Sequence, residues 1–273
     1  MTVRSETLAT DRPERPAPYP VGLRQALAAE WTKLWSVRST GWSLLITGLT
    51  VVGVAVVSGR TLLSYRPPAD VSAADVVGAA MEGVVFGQLA IGVLGAMVIT
   101  GEYGTGMIRS TLAAVPARNR LLLAKAIVVA AVALVTGTLT GLLAFLVARP
   151  MIGSPAAGVS LTDPGVLRAV AGSGLYLAVL AVFALATGTI LRHSAGTITT
   201  LILAILIVPS MLAQLGGAGR AVSRWWPTHA GFQLLHVDRL PGQLAPWPGF
   251  VTFAGATAAL LAIALLLLGR RDA

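Results

Sequence analysis

Between Glu82 and Glu102 lie nineteen consecutive residues without charge, and between Lys125 and Arg149 lie twenty-three. Either run, wound as an α-helix rising about 1.5 Å per residue, is long enough to cross a hydrocarbon core of about 30 Å. A chain built on such runs has to place them in lipid, and the segments between them become its wet surfaces.

Four more apolar runs complete a set of six, near 42–58, 83–100, 126–148, 169–191, 195–215 and 250–268. With 55% hydrophobic and 11% charged residues and a mean hydropathy of +0.79, the chain lies far from a soluble domain, where about a quarter of residues are charged. The expected fold is an all-α integral membrane protein with six transmembrane helices spread over residues 41–273. With the N-terminus inside, thirteen basic residues fall on the cytoplasmic segments and seven outside, so the positive-inside rule puts both termini in the cytoplasm. The net charge of +9 sits at the edges of apolar runs without interleaved aromatics, which suits anionic lipid headgroups and not nucleic acid. Eighteen of the twenty basic residues are arginine, a bias that points to a GC-rich coding sequence more than to a binding site. No cysteine is present, so thiolate chemistry is excluded.

Residues 1–20 hold charges and prolines but no apolar core of the length a signal peptide needs, and read as a disordered cytoplasmic tail. Residues 21–40 read as an amphipathic helix lying on the membrane surface. Leu23, Leu27, Trp31 and Leu34 recur at helical spacing, and Trp31 and Trp35 serve as interfacial anchors. Glu30 falls inside this apolar stripe, where an unpaired carboxylate is costly. Its expected partner is Arg38 or an arginine of the loop 101–125, unless it reaches water at the edge of the stripe.

That loop, GEYGTGMIRSTLAAVPARNRLLLAK, carries Ile108, Leu112 and Val115 at i, i+4 and i+7, one side of a helix of about two turns. Pro116 ends it, and Asn119 is positioned to cap the next helix. The loop is either a short lever across the mouth of two spans or an ordinary basic connector. Among the other links, 59–82 reads as an exposed outer loop and 192–194 as a tight turn closing a helical hairpin. The link 220–249, with three tryptophans and four prolines, reads as short interfacial or re-entrant segments in the outer headgroup layer.

Several chemistries lack their residues. No glycine-rich phosphate loop ending in lysine and a hydroxyl occurs. Ser173 and His193 sit at opposite ends of one span, too far apart to share a proton. His229 and His236 do not make a metal set. The expected span interiors carry no charge, whereas ion-coupled carriers place ionisable groups there, so any transport has to be powered from outside the chain.

Three motifs in order, AEWTKLWSVRSTGW before the first span, the loop from Gly101 to Lys125, and WPTHAG ahead of the sixth, make the chain resemble the permease subunits of bacterial type 2 ATP-binding-cassette exporters. The likeness runs from about Leu23 to the C-terminus. It implies a multi-pass protein of the bacterial cell membrane that is not itself an enzyme and binds no cofactor or metal. ATP would be bound by a separate ATPase subunit, and a second permease, identical or not, would complete the pathway for a hydrophobic or amphipathic substrate. The family's coupling helix would fall on Met107 to Val115, with Ile108 and Leu112 as apolar contacts, and Glu102, Arg109, Arg118 and Arg120 would supply polar contacts to the partner or to the connecting helix. Leu23, Leu27, Glu30, Trp31, Leu34, Trp35 and Arg38 would belong to its connecting helix. Other classes left open are a non-transporting membrane anchor or immunity protein, and a secondary carrier.

Overall fold

A computed structural model describes residues 22–114 and 117–270. The tail 1–20, Val115 and Pro116 lie outside the described residues, as does the side chain of Leu112. Among the described residues six helices are long and apolar enough to cross a membrane.

Helix α1 (Leu23–Ser36) runs into α2 (Arg38–Thr61) through Val37, whose extended backbone (φ −96°, ψ 121°) breaks the helical run. The Thr40 hydroxyl donates to the Leu34 carbonyl at 2.6 Å and closes this elbow. On α1 the inward residues are Ala26, Glu30 and Leu34, with Leu27 partly buried, whereas Leu23, Trp31 and Trp35 are exposed.

The outer link 59–82 is not an exposed loop. After two single 3₁₀ turns the chain forms α3 (Ala73–Met81), whose Val76, Val77, Ala80 and Met81 are buried against the bundle. Ser72 and Asp75 make the reciprocal hydrogen bonds of a capping box, which starts a helix where the preceding prolines suggest none. Helix α4 (Val84–Gly104) follows after a break at Glu82 and Gly83, where Glu82 accepts a hydrogen bond from Ser58 of α2. Gly83 is required there, since a Cβ would overlap the Val51 backbone of α2.

After the short α5 (Met107–Ala114), α6 (Arg118–Ile152) has 35 residues, about 50 Å of helix, and therefore projects beyond a hydrocarbon core of about 30 Å. Its N-cap is Ala117, and no side chain caps it, so Asn119 does not do so. Helix α7 (Val166–Leu191) is the centre of the fold: 67% of its apolar window is buried within the chain, against 22% for α2 and for the last two spans. Small residues bring α6 and α7 together. A Cβ on Gly137 would stand 2.8 Å from the Gly174 Cα, and the Ser173 hydroxyl donates across the contact to the Gly137 carbonyl at 2.8 Å.

The hairpin at 192–194 is present: Arg192 takes a left-handed turn (φ 56°) and the His193 ring accepts from the Gly196 amide to start α8 (Ser194–Ile202). A π-turn at Leu203–Ile207 joins α8 to α9 (Val208–Gln214). The link 220–249 is largely helical at its start, with α10 (Gly216–Trp225) and α11 (Pro227–Phe232), before the last span α12 (Pro246–Arg270). Thr228, Ala230, Leu234 and Leu235 are buried, and Arg168 at the start of α7 donates to the carbonyls of Leu234, His236 and Val237. The link is thus packed onto the bundle and is not a loose surface loop.

Candidate functional site

At the inner end of α1, α4 and α6 four charged side chains meet in the interior. Glu30 and Lys33 lie one turn apart on α1, Glu102 is in the last turn of α4, and Lys125 is in the second turn of α6. Lys125 Nζ lies 2.6 Å from Glu30 Oε2 and 2.6 Å from Glu102 Oε1, and its side chain is 0% exposed. Lys33 Nζ lies 2.6 Å from Glu102 Oε1 and 3.3 Å from Glu30 Oε1. The partner of Glu30 is therefore not Arg38, which is exposed, nor an arginine of the loop, but two lysines.

Lysine suits this position because its compact ammonium offers three donors to acceptors on different helices, where a planar guanidinium would need one flat partner. Lys125 uses its three on Glu30, Glu102 and the Val98 carbonyl (3.4 Å). Lys33 uses its three on Glu30, Glu102 and the hydroxyl of Thr111 on α5 (3.4 Å). Burial alone would pull the Lys33 ammonium below its ordinary range, but the Glu102 and Glu30 carboxylates outweigh it and hold the group above. Two carboxylates and two ammoniums balance, which is the condition under which charge is tolerated in an interior.

Helix α5 hangs directly beneath this tetrad. Gly106, at φ +72°, makes the left-handed turn that separates it from α4, a conformation a side chain would strain. Met107 and Arg109 are exposed, at 46% for Met107, while Ile108 turns inward and is only 4% exposed. Arg118 donates to the Leu268 carbonyl at 2.9 Å, tying the start of α6 to the end of α12. Arg120 is exposed on the first turn of α6. The Arg192 guanidinium lies 5.3 Å from the ring centre of Tyr103, one residue past Glu102. The loop 101–125, the elbow of α1 and the inner ends of α7 and α12 thus share one face, the one that the arginine distribution assigns to the cytoplasm.

Beside the tetrad lies a cavity of about 250 Å³ between α1, α4 and α6, lined by all four charged residues and walled by Leu34, Leu94, Met97, Val98, Val128 and Val129. A second cavity, of about 280 Å³, lies toward the opposite face. It is bounded by Gln88, Tyr176, Pro209, Thr228, His229 and Phe232, and the buried Tyr176 hydroxyl donates to Gln88 Oε1 at 2.6 Å. Pro209 supplies no amide, and the Ala204 carbonyl in the π-turn instead accepts from the Trp226 indole (2.6 Å) and the Thr228 hydroxyl (2.9 Å). Sequence reasoning missed Lys33 and Lys125 as site residues, although a signal was available: they are the two lysines of a chain with eighteen arginines.

A family model described as "ABC-2 family transporter protein" matches residues 26–210, a stretch that holds the whole tetrad and α5. A search of the curated proteins finds no match.

Proposed function

This chain belongs to the ABC-2 transporter family, and on that premise we propose that it is the permease subunit of a bacterial exporter powered by a separate ATP-binding-cassette ATPase. In this reading the ATPase docks on α5, ATP binding draws two such ATPases together, and α5 moves with them. A second permease completes the pathway, and spans one, two and five reorient a central cleft from the cytoplasmic to the outer side. The substrate class is hydrophobic or amphipathic. The free energy that drives the change is the difference in the partner's affinity for its two states, so the permease needs no ion relay of its own.

The observation that supports this reading best is the junction between lever and bundle. Lys33 holds Thr111 of α5 while it holds Glu102 of α4 and Glu30 of α1, so one ammonium joins the lever, the elbow helix and a span. Ile108 adds an apolar anchor on the same side of α5. A displacement of α5 is thereby transmitted to α1, α4 and α6 together.

The test follows from which residues of α5 face outward. Met107 and Arg109 are exposed, so Met107→Asp with Arg109→Glu leaves insertion intact and removes copurification with the ATPase subunit. Retained copurification and retained ATP-dependent transport by that double variant overturn the assignment of α5.

A further inference from the structure

The tetrad is balanced in charge but not in hydrogen bonds. All six N–H groups of Lys33 and Lys125 have acceptors, and three of the four carboxylate oxygens have donors. The fourth, Glu102 Oε2, is buried and has no donor among the described residues. What the site lacks is one donor and not one charge. An added ammonium would stand uncompensated in an apolar surrounding, whereas a neutral hydroxyl supplies the missing bond without upsetting the balance.

The adjoining cavity fits the rest of such a molecule. Its volume of about 250 Å³ is over ten times the roughly 10–15 Å³ that one water needs, and a water needs two to four polar partners, which walls such as Leu94, Val98, Val128 and Val129 do not offer. Val37, Met97 and Met107 among its lining residues are exposed, 37% for Met97, so it opens to the surface of the chain. Glu102 is among the residues that line the cavity, which places its carboxylate beside an occupant.

We propose that this cavity binds an uncharged amphiphile bearing a hydroxyl group, the hydroxyl donating to Glu102 Oε2 and the alkyl chain lying along α4 and α6. The inference does not depend on docking of an ATPase at α5. Two sources share this chemistry, a glycerolipid with a free hydroxyl from the inner leaflet and a free long-chain alcohol.

The test uses the full chain in nanodiscs of phosphatidylcholine, a lipid with no O–H or N–H donor, and follows thermal unfolding against added 1,2-dioctanoylglycerol, dodecanol, dodecyl methyl ether and dodecylamine. A hydroxyl probe raises the midpoint saturably, and the ether binds about tenfold more weakly for want of a donor. A stronger response to dioctanoylglycerol assigns the membrane source, and a stronger response to dodecanol the free one. Met97→Trp blocks the rim outside the packed core, and Val128→Phe fills the cavity from its wall; each removes the response. The proposal is overturned if the ether or the amine matches the alcohol, if both variants respond like the parent, or if no probe stabilises the protein, which would leave water as the donor.

Discussion

Lys125 and Glu30, ninety-five residues apart in the chain, stand 2.6 Å from each other with the lysine wholly out of solvent. This pairing pins α1 to α6, the third of the six apolar helices. Removing the lysine leaves two buried carboxylates to share the Lys33 ammonium, with one negative charge uncompensated, at a cost of about 3–5 kcal/mol. Lys125→Met is therefore expected to lower the unfolding midpoint sharply in detergent. Glu30→Gln added to it should recover part of the loss, so that the double variant costs less than the two single changes together. Additive losses in that cycle would mean that the two groups do not interact.

Lysine-to-arginine exchange should separate the two ammoniums. At Lys125 the side chain is 0% exposed and serves three acceptors on two helices, Glu30 of α1 and Glu102 and Val98 of α4, which a wider planar guanidinium cannot reproduce. At Lys33 the side chain is 30% exposed and has room to reposition. Lys125→Arg is expected to cost at least about 2 kcal/mol, in the range of a buried group left badly paired, and Lys33→Arg under about 1 kcal/mol, as for a half-exposed pair. Chemical unfolding of the two variants side by side reads the difference.

The six spans and their order were legible because a membrane helix announces itself in uncharged length. Helix α5 was legible too, from the spacing of Ile108 with the residues after it. Glu30 stood out as a carboxylate within an apolar stripe, yet its partner Lys125 did not, because pairing across 95 residues leaves no local pattern, whereas Lys33, three residues on, lay within helical reach and was overlooked. The link before α4 was misread for a different reason: Pro67, Pro68 and Asp70 suggested a loop and drew attention from the Ser72 and Asp75 capping signal that follows at once. Ile108 shows the remaining ambiguity. Periodicity groups apolar residues on one face of α5 but does not say whether that face looks to a partner or to its own bundle, and Ile108 looks inward.

On the opposite face, the Ala204 carbonyl depends on two side chains from the link before the last span. With one donor left the acceptor stays satisfied, and with none it is orphaned. Trp226→Phe and Thr228→Val are each expected to be mild with respect to this bond, and the pair together to cost more than their sum, within the roughly 1–3 kcal/mol of an unsatisfied buried group. Equal single and double effects would show that the carbonyl finds another donor.

Acid should loosen that same link through His236. Burial holds its imidazole below the ordinary histidine value; a backbone hydrogen bond near Phe232 opposes this, and nearby His229 and Arg168 reinforce it. The ring packs edge-on against Phe232 at 5.9 Å, and its buried Nδ1 has no partner among the described residues to receive a proton's charge. Because the folded value lies below the unfolded one of about 6.5, the folded state binds fewer protons in that window. Stability is then full above pH of about 6.5, declines as the pH falls toward the folded value, and levels off beneath it. Limited proteolysis of the 220–249 link should accelerate between pH 7.5 and 5.5, and His236→Asn, which cannot take up a proton, should flatten that dependence. An unchanged pH profile in the variant would assign the effect to another group.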